Sequence, residues 1–157
     1  ALPIWSGLVP SQWKRCILKP IQKDAKKDPL IPTNYRTISL ISCIAKLYSS
    51  LINIRITKFC EDNNLLVEEQ NGFRKNRSCM EHVFSLTSCI DYKLRNGGSA
   101  FVCFLDMKKA FDWINRDLLH VKLLEYEIGG NILESIKAMY DGSSASIKLN
   151  DTMTDDF

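Results

Sequence analysis

Apolar positions along the chain follow two periods, one of strands and one of helices. Residues 16–21 form a strand-like run after the turn-forming Val9-Pro10-Ser11, and Asn34-Tyr35-Arg36-Thr37-Ile38-Ser39-Leu40-Ile41 alternates as a second strand. Between them residues 24–33 are polar, basic and proline-bearing, which predicts an exposed mobile loop closing a hairpin. Pro20 has no N–H to give a ladder, so the first strand is expected at a sheet edge. Ser42 can cap a long helix whose apolar stripe is Ile44, Leu47, Tyr48, Leu51 and Ile54 or Arg55, with a second stripe of Ile52, Ile56 and Phe59. That helix should be well buried and end before Asp62-Asn63-Asn64. Ser78 with Glu81 is a capping-box signature, and Val83, Leu86, Ile90 and Leu94 carry a further helix to Gly97-Gly98, with Lys93 and Arg95 suiting its C-terminal end. Phe101-Val102-Cys103-Phe104-Leu105 reads as a short strand buried on both faces. Asn115 is a good N-cap, with Asp117 in the first turn, for a helix bearing Leu118, Leu119, Leu123, Leu124 and Ile128 as far as Gly129-Gly130. A last helix spans about 132–140. Ala145, Ile147 and Leu149 then alternate before a turn at Asn150-Asp151.

Composition makes this one compact domain or part of a larger one: 157 residues, 45% of them hydrophobic, are enough for a core, and no repeat or low-complexity tract divides the chain. The start at Ala1-Leu2-Pro3-Ile4-Trp5 without Met, and the stop soon after a strand-like segment, suggest an excised fragment. The net charge of +3 is unevenly spread. Residues 1–36 hold seven basic and two acidic side chains, residues 101–157 six and ten. A basic first part suits a polyanionic partner, and an acidic last part suits cations, with ordinary surface charge as the plainer reading. Six separated cysteines without a C-x-x-C pair read mostly as small buried hydrophobes in a reduced, intracellular setting, implying neither zinc nor disulfides. No apolar run approaches a membrane span, and no signal peptide is visible.

Three places carry candidate chemistry. Asp106 ends the apolar run at 101–105, where a carboxylate at the edge of a low-dielectric interior needs a cation, backbone donors or a metal. The plainer reading is a turn cap accepting an N–H from Lys108 or Lys109. Gln70-Asn71-Gly72-Phe73-Arg74-Lys75-Asn76-Arg77-Ser78 joins a glycine, an aromatic ring and three cations, which suits a nucleic-acid strand, against the alternative of a simple turn before a helix. Lys19, Lys23 and Arg36 decorate the hairpin, either to meet an anion or only to keep it soluble.

Taken in order, Trp13 with Ile17-Leu18-Lys19-Pro20-Ile21-Gln22-Lys23, Asn34-Tyr35-Arg36-Thr37-Ile38-Ser39-Leu40 with Lys46, Gln70-Asn71-Gly72-Phe73-Arg74, and Phe104-Leu105-Asp106-Met107-Lys108-Lys109-Ala110-Phe111-Asp112 form a series that resembles the reverse transcriptase domain of non-LTR (LINE-type) retrotransposons. The resemblance implies an α+β, right-hand polymerase fold, with fingers over about 1–98 and a partial palm, including the strand at 101–105, over about 99–157. It implies an RNA-directed DNA polymerase that adds dNMP from dNTP to the 3′-hydroxyl of a DNA primer on an RNA template, with two Mg²⁺ ions, or Mn²⁺ in their place. By resemblance Asp106 is the first catalytic aspartate and a ligand of both ions, and the Met107 carbonyl faces them. Lys109 and Ala110 give backbone amides to the triphosphate, Phe111 packs under the sugar and excludes a 2′-hydroxyl, and Lys23 and Arg36 neutralise the phosphates. On their own chemistry, rather than by resemblance, Gly72, Phe73, Arg74, Lys75 and Arg77 are expected to hold nucleic acid. Asp112 suits a structural hydrogen bond and stays outside the catalytic set.

The sequence departs from the family pattern in lacking the later glycine-glutamine motif and the Tyr-x-Asp-Asp-like hairpin with the other catalytic carboxylate, for which Asp155-Asp156 is no substitute. These 157 residues alone are therefore expected to be inactive. The parent protein is expected in nucleus and cytoplasm, and its oligomeric state is not readable. The competing readings are a domesticated or decayed remnant that holds RNA without catalysis and an unrelated metal-dependent phosphotransferase built on Asp106.

Overall fold

The computed structural model describes residues 8–157; the first five residues of the sequence reading lie outside them. In order, the elements are α1 (Ser11–Lys14), β1 (Arg15–Gln22), a 3-10 turn (Pro32–Asn34), β2 (Tyr35–Leu40), α2 (Cys43–Asp62), α3 (Cys79–Arg95), α4 (Arg116–Glu125), α5 (Gly130–Tyr140), β3 (Ser144–Leu149) and β4 (Thr152–Met153). The chain is a mixed α and β structure that divides into two compact units. One joins the segment up to Arg55 with Asp117–Phe157, and the other is Ile56–Arg116.

The first unit is built on a four-stranded sheet in the order β2-β1-β3-β4. β1 and β2 form the expected antiparallel hairpin, with Ile17 opposite Leu40 and Gln22 opposite Tyr35. β1 also pairs in parallel with β3, from Arg15 opposite Ser144 to Leu18 opposite Ile147. β1 is thus an interior strand, where an edge was expected. Pro20 is tolerated because the parallel ladder stops at Leu18, leaving Pro20 with a neighbour on the β2 side alone. The loop at 24–33 is exposed but braced. The Lys26 and Leu30 amides donate to Asp24 Oδ1 (3.0 Å) and Asp28 Oδ1 (2.8 Å), the Asn34 side-chain amide donates to the Asp28 carbonyl (2.9 Å), and the Tyr35 hydroxyl donates to the Pro29 carbonyl (2.9 Å).

In α2 the buried side chains are Ala45, Tyr48, Ile52 and Cys60, and Tyr48 meets the ring of Trp13 at 5.4 Å between centroids. Most of the expected stripe is on the wet side: Ile44, Leu47, Leu51 and Ile54 are exposed. Of the two stripes the second is the covered one, with Ile52 buried and Ile56 and Phe59 half-buried; the helix has apolar residues on more than one face, and periodicity alone does not say which of them is covered. Ile128 and Leu133 are also buried in the first unit. α4 stops earlier than Gly129-Gly130: Glu127 takes a left-handed φ of 61°, its amide donates to the Leu124 carbonyl, and the amide of the buried Ile128 donates to the Leu123 carbonyl. β3 and β4 turn at residues 150–151 as expected, with Asn150 at φ 52°.

In the second unit α3 starts as expected, with the Ser78 amide donating to Glu81 Oε2 at 2.9 Å, and ends where Gly97, at φ 73°, donates to the Leu94 carbonyl. None of its side chains is buried. Residues 101–107 form no strand, and Phe101 and Leu105 are 99% and 92% exposed, where a strand buried on both faces was expected. A strand needs a ladder partner for its N–H and C=O groups. The sheet lies wholly in the first unit, and this run finds no partner strand among the described residues. Cys43, Cys79, Cys89 and Cys103 are exposed, Cys16 is half-buried and Cys60 is buried, so most of the cysteines are not the small buried hydrophobes expected; all six are free.

Candidate nucleotide and nucleic-acid site

The hairpin brings its cations together. Ile21 faces Arg36 across the ladder, Lys19 faces Ile38, and the Lys23 amide extends the pairing with a 2.8 Å bond to the Asn34 carbonyl. Alternation along a strand therefore puts Lys19, Lys23 and Arg36 on one face, and all three are exposed there. The opposite face carries the half-buried Cys16, Leu18, Pro20 and Gln22. Lys23 Nζ also donates to the Thr33 carbonyl at 2.8 Å, which holds its ammonium at the loop end of the hairpin.

In the second unit, the turn at 70–78 is fixed chiefly by one guanidinium. Arg74 Nε donates to Glu61 Oε1 (2.9 Å), Nη2 to Glu61 Oε2 (2.7 Å), and Nη1 to the carbonyls of Val67 (2.9 Å) and Gln70 (3.4 Å). Its side chain is only 7% exposed. These bonds, with the charges of Arg74 and Arg77, outweigh partial desolvation and hold the Glu61 carboxyl below its ordinary range; the same pairing raises Arg74 further above its own. Burial, then the neighbouring Glu61 charge, pushes the Cys60 thiol up. Arg77 pairs with Glu68. Of the three cations expected to face nucleic acid, two are therefore engaged by carboxylates, and Lys75 is the exposed one. Beside the turn lies a groove of about 570 Å³ lined by Glu68, Glu69, Asn71, Arg77, Glu81 and Phe84 among others, whose three carboxylates oppose phosphate. Gly72 and Phe73 stand exposed on the turn.

Asp106 and Met107 lie on the irregular, exposed segment, followed by a turn over residues 108–113 in which Lys109 takes φ 53° and the Asp112 amide donates to the Lys109 carbonyl at 2.9 Å. Among the described residues Asp106 accepts no N–H from Lys108 or Lys109, which sets aside the turn-cap reading. Lys109, Ala110 and Phe111 are exposed on this turn, and Phe111 meets Phe73 with ring centroids 6.3 Å apart and planes at 82°. No sequence signal points to the Phe73–Phe111 contact, because the two rings lie 38 positions apart and no shared periodicity links them. Among the described residues no three His, Cys, Asp or Glu side chains gather closely enough to hold a metal ion. Asp106 alone offers too few oxygens for two divalent ions, so these residues do not complete such a site.

Residues 21–154 match the family described as reverse transcriptase (RNA-dependent DNA polymerase). The chain belongs to the reverse transcriptase family. Over 114 residues, 73% of the chain, it is 34% identical to the probable RNA-directed DNA polymerase from transposon BS of Drosophila melanogaster, covering 12% of that protein. It is 32% identical over the same share of the chain to the probable RNA-directed DNA polymerase from transposon X-element of the same fly, again covering 12%. The RNA-directed DNA polymerase from mobile element jockey of Drosophila funebris is 29% identical over 133 residues, 83% of the chain and 14% of that relative. This reverse transcriptase segment thus spans about an eighth of the length of these curated relatives. No helix among its described residues is long and apolar enough to cross a membrane.

Proposed function

We propose that these residues are the fingers and part of the palm of an RNA-directed DNA polymerase of a LINE-type element, acting on an RNA template, a DNA primer and dNTPs. The observation that carries this reading is the family match over residues 21–154, which takes in Lys23 and Arg36 of the hairpin, the turn at 70–78 and the Asp106 segment in one ordered span. Transfer of a nucleotidyl group needs positioning of the triphosphate and neutralisation of its charge more than covalent help from the protein. Lys23 and Arg36 serve the second need. Sharing one exposed face of a twisted hairpin, they meet a polyphosphate together, Arg36 able to do so with two parallel N–H donors. Lys109 and Ala110 offer backbone amides to the triphosphate, and Phe111 lies under the sugar.

Asp106 and the Met107 carbonyl supply hard oxygen ligands of the kind Mg²⁺ takes, and the remaining carboxylate comes from a polymerase segment outside these residues. When bound, such ions would neutralise the phosphates and lower the pKa of the attacking 3′-hydroxyl. Gly72, Phe73 and Lys75 face the nucleic acid, while Arg74, paired with Glu61, and Arg77, paired with Glu68, act by holding their turn in shape.

The reading is tested by primer extension on an RNA template. The isolated 157-residue chain should incorporate no dNTP. In the complete polymerase carrying it, Lys23→Ala and Arg36→Ala should each raise the KM for dNTP by about tenfold, the scale of one charge-assisted contact to phosphate. Mg²⁺-dependent extension by the isolated chain that is lost in Asp106→Ala would overturn the missing-carboxylate assignment, and an unchanged KM in both hairpin variants would overturn the triphosphate assignment.

A further inference from the structure

Phe73 carries a ring that is 95% exposed, yet the backbone beneath it is held firmly. Its φ of 62° lies in the left-handed region that L side chains enter at a cost, so surrounding contacts must hold it there. The adjacent Arg74 does this, clamped to Glu61 and to the carbonyls of Val67 and Gln70. Phe111 has no comparable support of its own. Its ring is 76% exposed on an irregular turn entered through a left-handed Lys109. The one aromatic contact it makes among the described residues is with Phe73, at 6.3 Å and 82°, the edge-to-face arrangement that the ring quadrupoles favour.

We propose that Phe73 is the positioning residue for Phe111. Anchored through Arg74, it sets where the Phe111 ring stands, and so how strictly the nucleotide pocket rejects a 2′-hydroxyl. This rests on the reading of Phe111 as the sugar-facing residue. Such a role differs from template stacking in a measurable way: weaker template binding lowers incorporation of dNTP and rNTP alike and cancels in their ratio, whereas a displaced Phe111 changes the ratio.

The test measures kcat/KM for one dNTP and the matching rNTP in the complete polymerase carrying this chain. Phe111→Val should lower the dNTP/rNTP ratio strongly. Phe73→Ala should lower it by about 2- to 10-fold, the worth of one aromatic pair. Phe73→Tyr should restore it, and the double variant should fall no lower than Phe111→Val alone. A ratio changed by Phe111→Val but not by Phe73→Ala, or a Phe73→Ala effect that simply adds to that of Phe111→Val, overturns the positioning role and leaves the sugar assignment standing. A ratio unmoved by Phe111→Val overturns the sugar assignment itself. Because the Phe73 ring is almost wholly exposed, its truncation removes no core packing, and a loss of activity equal for both substrates counts against the proposal.

Discussion

With Nε and Nη2 on the two oxygens of Glu61 and Nη1 on backbone carbonyls, Arg74 ties the turn at 65–78 to the end of α2. Lysine cannot replace that fork, since an ammonium lacks the planar pair of donors. The Glu61 carboxyl, held below its ordinary value of 4.5, gives the pH sign. A carboxyl with a depressed folded-state pKa contributes stability in full above its unfolded value and loses it as pH falls through the folded value. Amide exchange over residues 65–77, corrected for intrinsic rates, should be slow and flat from about pH 8 to 5 and accelerate below about pH 4. Glu61→Gln should exchange several-fold faster at pH 7 and lose the acid-dependent step. An acid step equal in both proteins would show that other carboxylates cause it. In sequence this segment reads as three cations for a nucleic-acid strand; nothing in it signals that Glu61, thirteen residues before Arg74, claims one of them.

Among the elements, those made from local signals were legible. The Ser78–Glu81 cap, the glycine stop of α3, the hairpin of β1 with β2 and the turn at 150–151 each depend on residues a few positions apart. The parallel pairing of β1 with β3 joins residues more than a hundred positions apart, and no local pattern records it. The apolar run at 101–105 has strand chemistry without a ladder to join. Glu127 offers a sharp test of how α4 ends. A side chain at φ 61° costs about 1–2 kcal/mol, part of which glycine gives back through its greater chain entropy. Glu127→Gly should stabilise the protein by roughly 0.5–1 kcal/mol, raising Tm by about 1–4 °C, and Glu127→Val should lower it. Equal melting temperatures would contradict the left-handed cap. In the core, Leu133, only 3% exposed, should cost about 2–5 kcal/mol as Leu133→Ala in urea unfolding; a loss below about 1 kcal/mol would mean the site collapses without a cavity.

For the molecule as a whole, the ordered motifs made the family readable from sequence, and the match over residues 21–154 bears it out. The candidate site residues were less legible: Lys23 and Arg36 lie in the first unit, Asp106 and Phe111 in the second. The roles proposed for them depend on chemistry that residue spacing does not encode. The central claim is that the carboxylate of Asp106 is needed for nucleotidyl transfer. Its most direct test is Mg²⁺-dependent dNTP incorporation on a primed RNA template by the complete polymerase carrying this chain, wild type beside Asp106→Asn, with template–primer affinity measured in parallel. Loss of a contribution of several kcal/mol to the transition state should lower incorporation on the order of 10³-fold while affinity for template–primer stays within about threefold. Incorporation by Asp106→Asn within tenfold of wild type would contradict the account.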